Sequence, residues 1–198
     1  MPLEFEIKLE VDVNIAQLEE PPKDLLSVED GLECNNDYTD FRSFLGWNEW
    51  KKSFPIEKNY LLEAESKSKT LKTFEDKLVK KEEWLLKKSG FDHAVFCELG
   101  ISSMVSALYA IGCHPIISCR GNPECKPNIN TVPHVAFFSK KRIAKKLVQL
   151  ATPTIGLFNA DIEGFEGLVI YSRRAVHLLE FSKVLYDNLG LFERKRRC

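Results

Sequence analysis

Four short apolar runs in the second half of the chain constrain the fold most: "HPIISC", "PHVAFFS", "TIGLFNA" and "GLVIYS". They are rich in β-branched and aromatic residues and are bounded by Gly, Pro or Asn, which is typical of buried β-strands. No helical pattern separates the two runs of either pair. We therefore expect the paired strands to be neighbours in a mixed or antiparallel sheet.

Three amphipathic stretches in the same half predict helices around these strands. "ISSMVSALYAIG" offers Ser102 or Ser103 as an N-cap, and "KKRIAKKLVQLA" and "RRAVHLLEFSKVLYDNLG" show apolar residues at helical spacing. The element order is then α-β-β-α-β-β-α. The sequence predicts an α+β fold with a small mixed or antiparallel sheet and packed helices.

The first half carries different patterns. "LEFEIKLEVDV" at residues 3–13 alternates apolar and charged residues, which predicts a strand with one buried face. Aromatic residues within 41–54 repeat at spacings of three and four and predict one helical face. Residues 57–88 read as one long amphipathic helix without proline. We divide the chain into an acidic segment at 1–56, this helix at 57–89 and the α+β domain at 90–198.

Charge is distributed unevenly along the chain. Residues 1–49 contain 13 acidic and 3 basic residues, while the remainder contains 16 acidic and 25 basic residues. A basic face of this kind can bind nucleic acid, and we expect such binding to be weak and non-specific. The alternative is that the acidic segment lies near the basic body of the same chain.

The sequence also favours a cellular location. It has no run of 18 apolar residues, and acids occupy the N-terminal positions where a signal peptide needs basic and then apolar residues. We expect a cytoplasmic protein that makes no membrane contact and keeps its thiols reduced.

Residues 112–138 hold three of the six cysteines and two of the four histidines, so any metal site is expected there. Thiolate and imidazole groups are the ligands that zinc prefers, but closely spaced pairs such as C-x-x-C are absent. We therefore favour buried thiols over zinc and expect no other cofactor. The candidate ligands are Cys113, His114, Cys119, Cys125 and His134.

A thiol-dependent enzyme is a second hypothesis for this region. Cys119 precedes Arg120 and Gly121, and a neighbouring cation favours the reactive thiolate. His134 or His93 could supply the base that a nucleophile needs. The catalytic candidates are thus Cys119, Arg120 and His134. The competing interpretation is that Cys119 ends a core strand and Gly121 permits the turn.

The same region resembles a family of uncharacterised bacterial proteins. Their pattern G-x-x-P-x-x-S-C-x-G, then P-x-V-A-F-F, then G-L-V-x-Y is matched by residues 112–121, 133–138 and 167–171. The resemblance covers about residues 100–187. It implies a shared domain and, because no activity is known for that family, it implies no chemistry.

The large N-terminal portion favours a binding function. We expect a non-enzymatic protein that binds another protein or itself through residues 3–13, 41–54 and 57–88, alone or as a subunit of a larger assembly. The alternatives are a metal- or thiol-dependent enzyme centred on residues 113–134 and a nucleic-acid-binding protein.

Overall fold

The computed structural model describes residues 3–19, 46–89, 98–162 and 164–193, and within these it shows an α+β fold. The strands are β1 (Val11–Asp12), β2 (His114–Cys119), β3 (His134–Phe138), β4 (Gly156–Ile162) and β5 (Phe165–Tyr171). The helices are α1 (Trp47–Ser66), α2 (Leu71–Ser89), α3 (Ser102–Ala110), α4 (Lys141–Leu150), α5 (Ala175–Asp187) and the short α6 (Leu189–Phe192). The predicted order of the second half, α3-β2-β3-α4-β4-β5-α5, is confirmed.

The five strands form one sheet in the order β1-β4-β5-β3-β2. All pairs are antiparallel except β1 with β4, so the sheet is mixed. "HPIISC" and "PHVAFF" are antiparallel neighbours, as their shared apolar character and the turn-rich loop between them predict. That loop contains a 3-10 turn at Ile129–Thr131, which the side chain of Asn128 caps.

Side chains of the sheet alternate between two faces. In β3, Val135 and Phe137 join the helix-side core, where they meet buried residues of α3, α4 and α5 such as Leu108, Leu147 and Leu178. Residues of β3 with the other parity, Ala136 and Phe138, form a separate apolar cluster with Ile116, Ile162 and Val169. The sheet therefore has an apolar layer on each side, and this explains why all five residues of β3 are buried.

The N-terminal segment lies along the domain rather than away from it. Phe5 is buried against Val132 and Tyr171, and Ile7 and Leu9 pack on the same cluster. The alternation over residues 3–13 is thus correct, but only Val11–Asp12 has strand pairing, at the edge of the sheet beside β4. Before β1, backbone groups bond a side chain in place of a strand: the Tyr171 hydroxyl donates to the Lys8 carbonyl and accepts from the Glu10 amide.

The prediction of one helix over residues 57–88 is wrong. Helix α1 continues through Pro55 to Ser66, and the chain then turns at residues 67–70 into α2. The hydroxyl of Thr70 accepts from the amide of Thr73, which starts the new helix. The amphipathic pattern hid this turn because α1 and α2 pack face to face, with Leu61 and Leu78 buried in one cluster. We call α1 and α2 together the helical hairpin.

A buried carboxylate joins the helical hairpin to the sheet domain. Glu57 of α1 is 1% exposed, and its two oxygens accept the amides of Gly100, Ser102 and Ser103 at 2.7, 3.0 and 2.8 Å. The amides of Ser102 and Ser103 begin α3, where the first turn leaves backbone donors without intrahelical partners and the helix dipole favours a negative charge. Burial raises the pKa of Glu57 and the hydrogen bonds oppose that rise.

Aromatic packing fixes the start of the helical hairpin. Trp50 stacks on Tyr186 with ring centroids 4.2 Å apart, and its indole N–H donates to the Ser182 hydroxyl at 2.8 Å. Trp47 and Phe54 pack around the same indole. The predicted aromatic face therefore contacts α5 of the same chain, while Phe41 and Phe44 lie outside the described residues.

None of the helices in the described ranges is long and apolar enough to cross a lipid bilayer.

We predict that Tyr171→Phe lowers the free energy of unfolding by about 1–2 kcal/mol, because it removes the hydroxyl that bonds Lys8 and Glu10. Amides near residues 8–12 should exchange faster with deuterium. Chemical denaturation and hydrogen exchange measure both effects. Tyr186→Phe is the matched control, since the contacts of Tyr186 within the described chain are made by its ring. Equal losses in the two variants would contradict this role.

Candidate functional site

The end of β2 brings the sequence-predicted residues Cys119, Arg120 and His134 into one region. Cys119 faces His134 across the ladder between β2 and β3. Arg120 follows directly and is only 2% exposed. Gly121 then adopts a φ of 105°, and a Cβ there would lie 2.8 Å from the Phe5 ring, so this turn requires glycine.

Two glutamates of α2 bind the Arg120 guanidinium. Glu75 accepts from its Nε at 2.9 Å and from its Nη2 at 2.5 Å, which is a bidentate pair. Glu82 accepts from Nη1, and the Leu99 carbonyl accepts from the same nitrogen at 2.9 Å. Burial lowers the pKa of Arg120, but the bonds to Glu75 and Glu82 outweigh it and raise the pKa. Every nitrogen of this guanidinium therefore has an acceptor.

A third carboxylate, Glu98, completes the cluster by accepting the backbone amide of Arg120. Burial raises the pKa of Glu98, although the charge of Arg120 opposes this. We call Arg120, Glu75, Glu82 and Glu98 the arginine cluster. With all its acids ionised, the cluster carries three negative charges and one positive charge. The sequence analysis missed its three acids, and the available signal was the seven-residue spacing that places Glu75 and Glu82 on one face of a helix.

The Cys119 thiol lies beside this cluster and is kept neutral. Burial raises its pKa, and the charges of Glu98 and Glu75 raise it further. The Gly121 amide donates to the sulfur at 3.3 Å, and this bond only partly offsets the other effects. The charge of Arg120 lowers the pKa of Cys119, as the sequence suggests, but burial and the two carboxylates outweigh it.

His134 sits in a buried setting that favours its neutral form. It is buried, and its Nδ1–H donates to the Val132 carbonyl at 2.9 Å, which leaves Nε2 as the acceptor. Burial lowers its pKa. The second candidate base, His93, lies outside the described residues.

The candidate zinc ligands are spread over three environments. Cys113 is buried in the helix-side core, where its thiol contacts Ser139 and burial raises its pKa to about 12. Cys119 lies at the other end of β2, and Cys125 is exposed in the loop. His114 begins β2 beside Phe138. Among the described residues, no group of three or more Cys, His, Asp or Glu side chains could hold a metal ion.

Space beside the arginine cluster is small. A crevice lined by Phe5, Phe74, Arg120 and Pro123 has a volume of about 20 Å³. That volume fits about one water molecule.

Comparisons with known proteins find nothing similar: no family model, no curated protein and no solved structure matches this chain.

We predict that the thiols react with iodoacetamide in the order Cys125, then Cys119, then Cys113. Cys125 is exposed, whereas Cys119 is partly buried beside carboxylates, and Cys113 is buried with a pKa of about 12. At pH 8 the rate at Cys113 should be at least about 100-fold below that at Cys125, because only the thiolate reacts. Peptide mass spectrometry of a time course measures the three rates. Faster labelling of Cys119 than of Cys125 would restore the activated-thiol hypothesis.

Proposed function

We propose that the protein acts by binding another protein through the outer face of the helical hairpin. The observation that carries this proposal is Trp84 of α2, which is 44% exposed although tryptophan is among the residues that most often dominate protein interfaces. Single exposed apolar residues are common. Trp84 differs because a lysine and a second aromatic ring lie beside it.

A lysine holds two aromatic rings of the helical hairpin together. The Nζ atom of Lys81 lies 3.9 Å from the ring centroid of Trp84 and 4.2 Å from that of Tyr60 on α1. Ile56, which is 37% exposed, lies one helical turn before Tyr60 on the same face. We call Ile56, Tyr60, Lys81 and Trp84 the hairpin patch.

The hairpin patch is suited to a protein partner because it is already ordered. Cation–π contacts restrict both rings before binding, which reduces the entropy lost when a partner docks. The helices beneath are held to the domain by Glu57 and the arginine cluster. Aromatic rings are enriched at the centre of protein interfaces, and a lysine beside them suits the polar rim.

The other two segments expected to bind partners are used within the chain. Residues 3–13 pack along the sheet, and Trp50 and Phe54 pack on α5 and α3. In the 57–88 region, by contrast, the Trp84 side chain is 44% exposed. The enzyme hypothesis gains no support from the neutral Cys119 thiol or from the 20 Å³ crevice.

We predict that Trp84→Ala weakens partner binding by at least about 30-fold, which corresponds to about 2 kcal/mol for an interface hot spot. Val79→Ala is the matched control, because Val79 is also an exposed residue of α2 and lies outside the hairpin patch. Tagged wild-type and variant proteins would be purified from the source cells, and bound proteins quantified by mass spectrometry. Sedimentation velocity of the same samples tests whether the partner is a second copy.

Both variants should stay folded, which circular dichroism melting checks, and Val79→Ala should unfold within about 0.5 kcal/mol of wild type because Val79 is exposed. Retention of the same partner by Trp84→Ala, or its equal loss from Val79→Ala, would contradict the proposal.

A further inference from the structure

Helix α4 presents a positive surface on the side away from the core. Its sequence KRIAKKLVQL contains no acid, and one more lysine precedes it. Four of the basic residues are exposed and the fifth is half-buried. We call these residues the basic face: Lys140, Lys141, Arg142, Lys145 and Lys146.

The basic face is distinguished by its density: five cations lie within the seven residues 140–146 without an acid among them. Elsewhere in the described chain, Lys52, Lys67 and Lys183 each form an ion pair with an acid three or four residues away in the sequence. No residue of the basic face forms an ion pair with an acid of the described residues, even though Glu193 follows α6 directly. Three of its cations also surround the first turn of α4, where the helix dipole disfavours positive charge.

The contacts that these side chains do make hold them without neutralising them. Lys141 donates to the Ala16 carbonyl at 2.7 Å, and Arg142 donates to the Phe192 carbonyl at 3.2 Å. The Nζ atom of Lys146 lies 5.7 Å from the centroid of the Phe192 ring. The positive charges are therefore partly ordered and still available to an anionic ligand.

Two observations select among anionic ligands. Ile143, Ala144 and Leu147 of α4 are buried in the core, and Val148 and Leu150 pack against it, so the helix offers no free apolar face to a lipid surface. Residues four apart, such as Lys141 and Lys145, are separated by about 6 Å along the helix, close to the rise of roughly 6.8 Å over two nucleotides of a strand.

We propose that the basic face is a nucleic-acid-binding site that contacts the phosphate backbone. Lysine predominates in it, and lysine acts on phosphate as a point charge rather than as a bidentate reader of bases. The site is therefore independent of base sequence, and its affinity falls as salt rises because each neutralised phosphate releases counterions. It is separate from the hairpin patch, so the two proposals succeed or fail independently.

Fluorescence anisotropy with a labelled 20-nucleotide single strand and a 20-base-pair DNA duplex tests the site at 50–200 mM salt. The test variant Lys140→Gln/Lys145→Gln changes two cations that make no described contact, so its fold should be kept. The control Lys52→Gln/Lys183→Gln removes two cations that are already paired. Circular dichroism melting checks that both variants are folded.

We expect wild type to bind at least one probe with a Kd between about 1 and 100 µM. The test variant should bind at least about 10-fold more weakly, and its slope of log Kd against log salt should be smaller by about two, one for each lost phosphate contact. The Kd of the control should change less than twofold. No binding by wild type at 50 mM salt, or equal effects in the two variants, would overturn the proposal. Tighter binding to polyglutamate than to either oligonucleotide would also overturn it, in favour of an acidic protein ligand.

Discussion

The buried carboxylate of Glu57 is the interaction on which the rest of the arrangement depends. A charge that leaves water loses its hydration, so it is stable inside a protein only where donors replace the lost water. Here the donors are the amides of Gly100, just before α3, and of Ser102 and Ser103 in its first turn. Helix α3 also gains from this contact, because its N-cap residue supplies no side-chain hydrogen bond and Glu57 takes that role. Glu57 thereby fixes where α1 crosses α3, and with it the position of the whole helical hairpin.

The arginine cluster is the second attachment of the helical hairpin to the sheet domain. It also sets the environment of Cys119, the residue that looked most reactive in the sequence. Arg120 joins the end of β2 to α2 through Glu75 and Glu82. A buried guanidinium that is fully hydrogen-bonded is costly to leave half-paired, so each member of the cluster holds the others in place. Cys119 lies next to this negative cluster, and its thiol is kept neutral. The carboxylates that help raise the pKa of this thiol also attach α2 to the sheet domain. The helical hairpin is therefore ordered before any partner binds, which lowers the entropy cost of binding.

Features set by residues close together in the sequence could be predicted, whereas features set by contacts between distant residues could not. The strands β2 to β5 and their pairing follow from local patterns of apolar and turn residues, and so does the closeness of Cys119 and His134. The turn at residues 67–70 was missed because the lysine- and serine-rich pattern stays amphipathic across it. Ser102 or Ser103 looked like the cap of α3, whereas the acceptor comes from Glu57, more than forty residues earlier. For the arginine cluster, the seven-residue spacing places Glu75 and Glu82 on one helical face, but nothing local to α2 identifies Arg120 as their partner.

Hydrogen exchange of Glu57→Gln tests the central claim most directly. Glutamine keeps the size of the side chain but turns an N–H₂ group towards backbone N–H donors. If Glu57 attaches the helical hairpin, the amides of Gly100, Ser102 and Ser103, together with those of α1 and α2, should exchange at least about 10-fold faster, while those of β3 and β5 keep their protection. Glu63→Gln is the control, because Glu63 is exposed on the same helix. Unchanged protection in α1 and α2 of the Glu57 variant would contradict the account.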